Sequence, residues 1–268
     1  MAKLNAYILG IGAWGPKFRN WDDLSQLLSG ADLEDDGAKG PKPEVIPANE
    51  RRRAPLPVRL AVESSWQAVE QSGIPAEQLP CVFVSGIGDT QLTDYMCRVL
   101  AGENKALSPT KFHNSVHNAA AGYWTISTNC MQAANSVAGF EQSVSLTLME
   151  ALIQSTSEQT PILITFYDAP SSEVLKDMLK TEQPFSVSMV ISPNRSENAI
   201  GKISAQVTNE PSIEPSLMSD SFLQDCFATN PAAKILPLIE RLASNRGDNT
   251  TLKYPLSSET SLSLIVEA

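Results

Sequence analysis

The sequence is short of the residues that most often carry chemistry. It has two histidines, His113 and His117, so no larger histidine cluster is available. Four cysteines are scattered without a C-x-x-C pair or a regular spacing: Cys81, Cys97, Cys130 and Cys226. Zinc sites and disulfide frameworks need closely or regularly spaced cysteines, so neither is predicted. We expect reduced, mostly packed thiols and no metal or cofactor.

Basic charge and long hydrophobic runs are also scarce. The 20 Lys and Arg residues stand against 30 Asp and Glu, which gives a net charge of −10. Nucleic acids and anionic membranes need a basic face, which the short run Arg51 to Arg53 does not supply, so neither is expected as a partner. No stretch approaches the roughly 20 apolar residues that span a bilayer, and no secretory signal pattern begins the chain. We therefore expect a cytoplasmic protein.

What the sequence does contain is an alternation of strand and helix patterns. The 268 residues are 42% hydrophobic and can bury a sizeable core. Strands are predicted over 7–11, 81–85, 135–140, 161–167, 185–192, 200–207 and 261–267. Helices are predicted from residue 21 and over 58–69, 92–100, 108–123, 141–154 and 232–243, with polar loops over 29–43 and 208–230. This order is typical of a layered α/β fold.

Three glycines near the N-terminus, Gly10, Gly12 and Gly15, have the spacing G-x-G-x-x-G. A dinucleotide-binding turn needs a helix that begins within the motif, so that its free N–H groups face the pyrophosphate. Pro16 follows Gly15 at once and delays the helix. The motif also requires a second strand that ends in an acidic residue about 20 positions further on, and that region is the polar loop 29–43. We interpret the glycines as a tight turn at a strand exit.

The two histidines lie four residues apart in "KFHNSVHN", on one face of the helix predicted from Ser108-Pro109. That is metal-ligand spacing, but Asn114 stands where the metalloprotease motif has glutamate, and no third ligand is nearby. A packed or interfacial histidine pair is the alternative interpretation.

Two further features have a catalytic and a structural interpretation. Cys130 could be a nucleophile if His113 or His117 lay beside it, although a free cysteine is commonly a buried packing residue. The segment "GFEQSVSLTLMEAL" (139–152) ends a strand and starts a helix, with Glu141 and Gln142 in its first turn. In many α/β enzymes the nucleophile lies at such a corner between a strand and a helix. The structural interpretation is that acidic residues in the first turn stabilise the N-terminus of the helix.

The order of these segments resembles the N-terminal half of the β-ketoacyl synthases, which have a thiolase-like fold. The similarity runs over about residues 4–207. It is carried by "AYILGIGAWGPKFRNWDDLSQLL" (6–28), "RRRAPLPVRLAVESSWQAVEQSGI" (51–74), "VFVSGIGD" (82–89) and "SPTKFHNSVHNAAAGYWTIST" (108–128). The last segment is similar to short ketosynthase-like proteins, many of them encoded with aryl polyene biosynthesis enzymes.

The resemblance implies a layered α/β fold with a ketosynthase-like N-terminal domain, residues 1–210, and a truncated remnant of the C-terminal half, residues 211–268. The family places its cysteine nucleophile at the start of the helix after the "NSVAGF" strand, where this chain has Glu141 or Gln142. Two histidines of the family's C-terminal half are missing, since no histidine follows His117. A Claisen condensation needs the acylated thiolate and donors for the developing charge, so this chain alone lacks the means for it.

The family also includes a non-catalytic member, the chain-length factor, in which glutamine, often after glutamate, replaces the cysteine; "FEQS" resembles that replacement. The resemblance implies a heterodimer with a full-length ketosynthase, whose acyl tunnel this chain would shape. Acyl carrier proteins are strongly acidic, so they are expected to dock through the partner. The implied tunnel or interface residues are Gln91, Leu92, Tyr95, Met96, Phe112, His113, Val116, His117 and Tyr123.

Three alternatives stay open from the sequence. The tunnel candidates can equally be core residues of helical stripes. The chain can be a self-sufficient acyltransferase or thioesterase that uses Cys130 with His113 or His117. It can also be a structural module that only stabilises its partner.

Overall fold

The computed structural model describes residues 3–213, 218–244 and 251–267. In these ranges eight strands form one mixed sheet, in the order β3-β2-β4-β5-β1-β6-β8-β7. The strands are β1 (Leu4–Trp14), β2 (Cys81–Val84), β3 (Ala134–Val137), β4 (Ile162–Asp168), β5 (Phe185–Ser192), β6 (Gly201–Thr208), β7 (Thr251–Pro255) and β8 (Ser261–Glu267). Strands β3, β2 and β4 run parallel to one another, and the other neighbouring strands pair antiparallel. β3 and β7 are the two edges.

Ten α-helices lie in the same described ranges. They are α1 (Trp21–Leu28), α2 (Ala48–Arg51), α3 (Leu56–Ser72), α4 (Thr90–Ala101), α5 (Pro109–His113), α6 (Ala119–Thr128), α7 (Ser143–Glu158), α8 (Lys176–Leu179), α9 (Ser221–Thr229) and α10 (Leu236–Ser244). Short 3₁₀ turns occupy Ala76–Gln78, Phe140–Gln142, Glu173–Leu175 and Pro231–Ile235.

Helices cover both faces of the sheet and bury a core on each. On one face, α3 and α6 pack their apolar residues, such as Leu60 and Trp124, against sheet residues that include Phe83. On the other face, α1, α7 and α10 pack against side chains such as Ile164, and Leu148 of α7 is fully buried there. Three layers with a mixed sheet in the middle confirm the predicted layered α/β fold.

The glycines of β1 allow α3 to lie directly on the strand. A Cβ atom on Gly10 would lie 2.1 Å from the carbonyl oxygen of Ala68, and one on Gly12 would lie 2.0 Å from that of Ser64. Glutamine side chains of α3 then accept hydrogen bonds from the strand backbone, among them Gln71 Oε1 from Ile11 N at 2.7 Å. The interpretation of these two glycines as a strand-exit turn is wrong, because β1 continues past them; only Gly15 lies beyond the strand, in a turn bridged to Phe18.

The predicted single helix over 108–123 is two helices, α5 and α6, joined through Asn114–Asn118. Ser108 caps α5 as predicted, with Pro109 in its first position. The break has a tertiary cause: Asn114 is buried, its Nδ2 donates to the carbonyl oxygen of Arg53 at 3.2 Å, and its Oδ1 accepts from the Tyr123 hydroxyl at 3.2 Å. Since His113 ends α5 and His117 lies in the connection, the prediction that they share one helix face is also wrong.

Most of the other predicted elements are confirmed, and the differences fall near the C-terminus. The predicted strands 185–192 and 261–267 coincide with β5 and β8. The segment predicted as a polar loop, 208–230, contains α9, and the edge strand β7 was not predicted. Residues 214–217 of that predicted loop lie outside the described residues.

Candidate functional site

The candidate site lies at the carboxyl ends of β2, β3 and β4. Because these three strands are parallel, their last residues meet at one edge of the sheet, which is where ligands bind in open α/β sheets. The chain leaves β2 through the glycine turn 85–88 and leaves β3 through a corner at 138–142. β4 ends with Asp168.

Asp168 is fully buried and joins three segments through four hydrogen bonds. Its carboxylate accepts from Ser85 Oγ at 2.5 Å, from the backbone N–H groups of Gly86 at 3.1 Å and Ile87 at 3.3 Å, and from Ala232 N at 3.1 Å. Burial raises the pKa of this carboxyl from its ordinary value of 3.8 to about 6, although the four donors oppose that shift. At neutral pH it is therefore mostly an ionised group held by fixed donors.

The C-terminal segment covers this edge of the sheet. Pro231 lies so close to the glycine turn that a Cβ on Gly86 would be 2.4 Å from the Pro231 Cβ. Ala232, which follows, donates to Asp168, and both Ala232 and Ala233 are buried. The 3₁₀ turn Pro231–Ile235 thus packs against the glycine turn after β2 and the end of β4.

The corner after β3 has an unusual backbone. Phe140 has φ +47°, in the left-handed region that side chains rarely adopt. The predicted helix start is slightly wrong, because Phe140–Gln142 form a 3₁₀ turn and α7 begins at Ser143 with Gln142 as its N-cap. Glu141 Oε2 pairs with Lys234 Nζ at 3.6 Å, so its carboxylate is directed to the C-terminal segment. None of these three residues offers a thiol or hydroxyl nucleophile.

The two histidines have different surroundings. His117 is exposed, and its Nε2 lies 3.1 Å from the carbonyl oxygen of Val137, at the end of β3. A Cβ on Gly88 would be 4.0 Å from His117 Nδ1, so His117 lies beside the glycine turn. His113 is exposed at the end of α5. In the described part of the chain, no group of three or more His, Cys, Asp and Glu side chains could hold a metal ion.

Cys130 is buried, and its Sγ donates to the carbonyl oxygen of Leu79 at 3.4 Å. The nitrogen of His117 that makes a hydrogen bond makes it to Val137 instead. The geometry therefore gives Cys130 a packing role at the end of α6 and does not pair it with either histidine.

The candidates on α4 divide between core and surface. Leu92 is buried, Gln91 is exposed, and Tyr95 and Met96 are half-buried. Gln91 Nε2 donates to the carbonyl oxygen of Ser171 at 3.1 Å, which links α4 to the loop after β4. Lys111 Nζ lies 3.5 Å from the centre of the Tyr95 ring, a cation–π contact that ties α5 to α4.

The candidates on the α5–α6 segment are more exposed. Phe112 and Val116 are 59% and 53% exposed, so the alternative that they are core residues is wrong for this chain as described. Tyr123 is half-buried and donates to Asn114. Phe112 and Val116 therefore form apolar surface. They lie in the same segment as His117, which contacts the end of β3 and the glycine turn after β2.

A cleft of about 1120 Å³ is lined by Glu141 and Lys234 among other residues. Its walls are the start of α7, helices α9 and α10, and strand β7. The sequence did not indicate this cleft or the role of Asp168. The one signal for Asp168 in the sequence is a charged residue at the end of a mostly apolar strand, "ILITFYD".

Comparisons with known proteins agree with this geometry. A family model described as the N-terminal domain of β-ketoacyl synthase matches residues 21–246. No curated protein matches the chain. No helix among the described residues has the length and apolar character needed to cross a membrane.

Several solved structures share the fold. One chain of the complex of a ketosynthase with its chain length factor from Xenorhabdus doucetiae aligns with a TM-score of 0.72 and 17% identity, over 98% of this chain and 99% of that one. The ishigamide ketosynthase/chain length factor aligns with a TM-score of 0.72 and 12% identity, over 98% and 99% of the two chains. One chain of a complex between a type II polyketide synthase acyl-carrier protein and its ketosynthase aligns with a TM-score of 0.73 and 10% identity, over 100% of each of the two chains.

Proposed function

Because the chain belongs to the family of the β-ketoacyl synthase N-terminal domain, we propose that it is a chain-length factor. In this proposal it is a non-catalytic ketosynthase homologue that forms a heterodimer with a full-length β-ketoacyl synthase. It shapes the acyl tunnel of that partner in polyene or fatty-acid-type biosynthesis, and the complex works in the cytoplasm.

The observation that carries the non-catalytic role is the closed carboxyl edge of the parallel strands. Pro231 packs on Gly86, and Ala232 donates to Asp168, so the chain's own segment occupies the place of a substrate. The corner after β3 presents Phe140, Glu141 and Gln142, which cannot form a thioester. Condensation needs a thiolate and donors aimed at the developing enolate and oxyanion. The corner supplies no thiolate, so the reaction is assigned to the partner.

The partner role is supported by the free edge of the sheet. β3 pairs with β2 on one side and lies at the end of the strand order. An exposed strand edge carries unpaired backbone N–H and C=O groups, which pair readily with another chain. Met131, just before β3, is 93% exposed, and Ile126 near it is also exposed. An apolar surface beside an open edge is a favourable surface for a protein partner.

The similar structures add a named precedent for this assembly. Two of them contain a ketosynthase together with a chain length factor. A third contains an acyl-carrier protein in complex with its ketosynthase. By analogy the partner here is a ketosynthase, and an acyl carrier protein reaches the complex through that partner, because a chain with a net charge of −10 repels an acidic protein.

The proposed tunnel contribution comes from exposed apolar side chains rather than from the core. Phe112 and Val116 project from the α5–α6 segment, beside His117 and the end of β3. Tyr95 and Met96 lie on the neighbouring α4, linked to α5 by the Lys111–Tyr95 contact. Buried Leu92 is left to the core.

Co-expression with a full-length ketosynthase from the same source tests the proposal. We expect the two chains to purify together at a 1:1 ratio and the pair to condense acyl units, whereas this chain alone does not. The variant Cys130→Ala should leave the activity of the pair unchanged, because Cys130 packs against Leu79.

The opposite results separate the alternatives. If this chain remains a folded monomer beside an active ketosynthase, the chain-length factor role is wrong. Loss of activity on Cys130→Ala, in a pair that still forms, would support the acyltransferase or thioesterase. Unchanged product length after Val116→Trp would leave only a stabilising module.

A further inference from the structure

Phe140 differs from the other residues that have a left-handed backbone. Among the described residues, the other non-glycine positions with positive φ are Asn129, Gln159 and Lys180, and each is the C-cap of a helix. A left-handed C-cap is a common way to end a helix. Phe140, in contrast, lies between a strand and a helix and is a bulky residue, for which this backbone is unfavourable.

The surrounding backbone holds Phe140 in this conformation. Gly139 N donates to Ser143 Oγ at 3.1 Å, and Gln142 N donates to the carbonyl oxygen of Gly139 at 2.9 Å. The carbonyl oxygen of Gln142 in turn accepts from Ser145 Oγ at 3.0 Å. The corner is therefore a closed set of hydrogen bonds that fixes which side chain projects from it.

The side chain that projects freely is that of Phe140. It is 43% exposed and makes no aromatic pair with another described ring. Glu141 pairs with Lys234, and the side chain of Gln142 makes no capping hydrogen bond but is half-buried. A sharp, strained strand-to-helix corner is the geometry by which α/β enzymes hold one side chain outward. Here the residue held outward is an aromatic ring.

The place of Phe140 in the chain, shortly after the edge strand β3, indicates the use of its ring. Phe140 follows β3 by three residues, and Met131, which is highly exposed, precedes β3 by three. Exposed apolar side chains thus flank both ends of the edge strand. Interfaces draw most of their binding energy from a few aromatic anchors that fill pockets on the partner, surrounded by residues of little effect.

We propose that Phe140 is the aromatic anchor by which this chain binds its ketosynthase partner, with the ring inserted into an apolar recess of that partner beside β3. The inference rests on the proposed function, because it assumes a ketosynthase as the partner. In this inference the residue of the corner that binds the partner is Phe140, and not Glu141 or Gln142. In this proposal the strained backbone presents the ring to the partner.

The test measures the affinity of this chain for the full-length ketosynthase by titration calorimetry. Phe140→Ala should weaken binding at least tenfold. The control is Met178→Ala, which removes an exposed apolar side chain (69%) from α8. We expect that variant to bind within twofold of the parent chain.

A second variant separates loss of the ring from loss of folding. Phe140→Gly removes the ring and also relieves the backbone, because glycine adopts positive φ without penalty. It should be at least as stable as Phe140→Ala to thermal unfolding and should bind as weakly. If the parent chain does not bind the ketosynthase, the proposed function is wrong. If the parent binds and Phe140→Ala binds within twofold of it, the anchor alone is wrong.

Discussion

At the scale of single residues, Asp168 makes stability depend on pH. Its pKa in the folded chain is about 6, raised by burial, against an ordinary value of 3.8. Between these values the folded state binds more protons than the unfolded state. The group therefore contributes its full stabilisation below about pH 4, and that contribution is lost as the pH rises through about 6.

Asp168→Asn should remove this titration and weaken the fold. At pH 7 the amide places an NH₂ group against backbone donors of Gly86 or Ala232, which costs about 1–3 kcal/mol. The deficit relative to the parent chain should grow by up to about 3 kcal/mol as the pH falls to about 4, because only the parent gains from protonation. Urea unfolding at several pH values measures both effects.

The matched control is Asp177→Asn, on the exposed surface of α8. It should change the free energy of unfolding by less than about 0.5 kcal/mol at every pH. A deficit of Asp168→Asn that stays constant from pH 4 to pH 7 would contradict the assignment of the titration to Asp168.

Residues such as Asp168 also mark the limit of sequence reasoning. Its donors come from residues 85–87 and from residue 232, which are 64 or more positions away. Nothing in the local pattern around "FYDAP" states which segments will meet there. The sequence itself shows that residues 140–142 include no thiol. The exposure of Phe140 could not be predicted in the same way, because it depends on the backbone φ angle of that residue.

At the scale of elements, the contact between β1 and α3 depends on two glycines. Gly12→Ala would place a Cβ 2.0 Å from the carbonyl oxygen of Ser64 and 2.8 Å from Ala68 N. Both are helix backbone atoms, so the helix as a whole would have to move. We expect a loss of about 1–3 kcal/mol in the free energy of unfolding, measured by chemical denaturation.

A second glycine gives the opposite expectation for the same change. Gly122 lies inside α6, and a Cβ there would meet nothing within 4 Å. Gly122→Ala should stabilise the chain by about 0.5–1 kcal/mol, since alanine loses less backbone entropy in a helix. Equal effects at the two sites would show that close packing of α3 on β1 is not what requires Gly12.

Element boundaries could be predicted where local pattern and tertiary packing agree. β5 and β8 are apolar runs between polar turns, and their predicted bounds are those observed. The continuous helix over 108–123 failed because Asn114 hydrogen-bonds to Arg53, 61 residues earlier, and stops α5. β7, with the sequence TLKYP, is a half-exposed edge strand with a proline, a pattern that is also typical of a loop.

At the scale of the whole molecule, the sheet continues across the predicted boundary at residue 210. β8 pairs with β6 over seven residues, and its side chains Leu262 and Leu264 are fully buried in the core shared with α7. Asp168 ties the same C-terminal part to the glycine turn. The division into residues 1–210 and a remnant of the family's C-terminal half, residues 211–268, remains a prediction. We expect the two parts to unfold together as one cooperative unit.

Leu264→Ala tests this cooperativity, because all four tryptophans precede residue 211: Trp14, Trp21, Trp66 and Trp124. The substitution leaves a cavity in β8 and should cost about 2–5 kcal/mol. In one cooperative unit, the tryptophan fluorescence transition shifts to lower urea together with the far-UV circular dichroism.

Ile265→Ala, on the same strand but half-buried, should shift both signals less. An unshifted fluorescence transition with an earlier loss of circular dichroism would show that the C-terminal part unfolds by itself, and that its cover over the carboxyl ends of β2 and β4 can open without global unfolding.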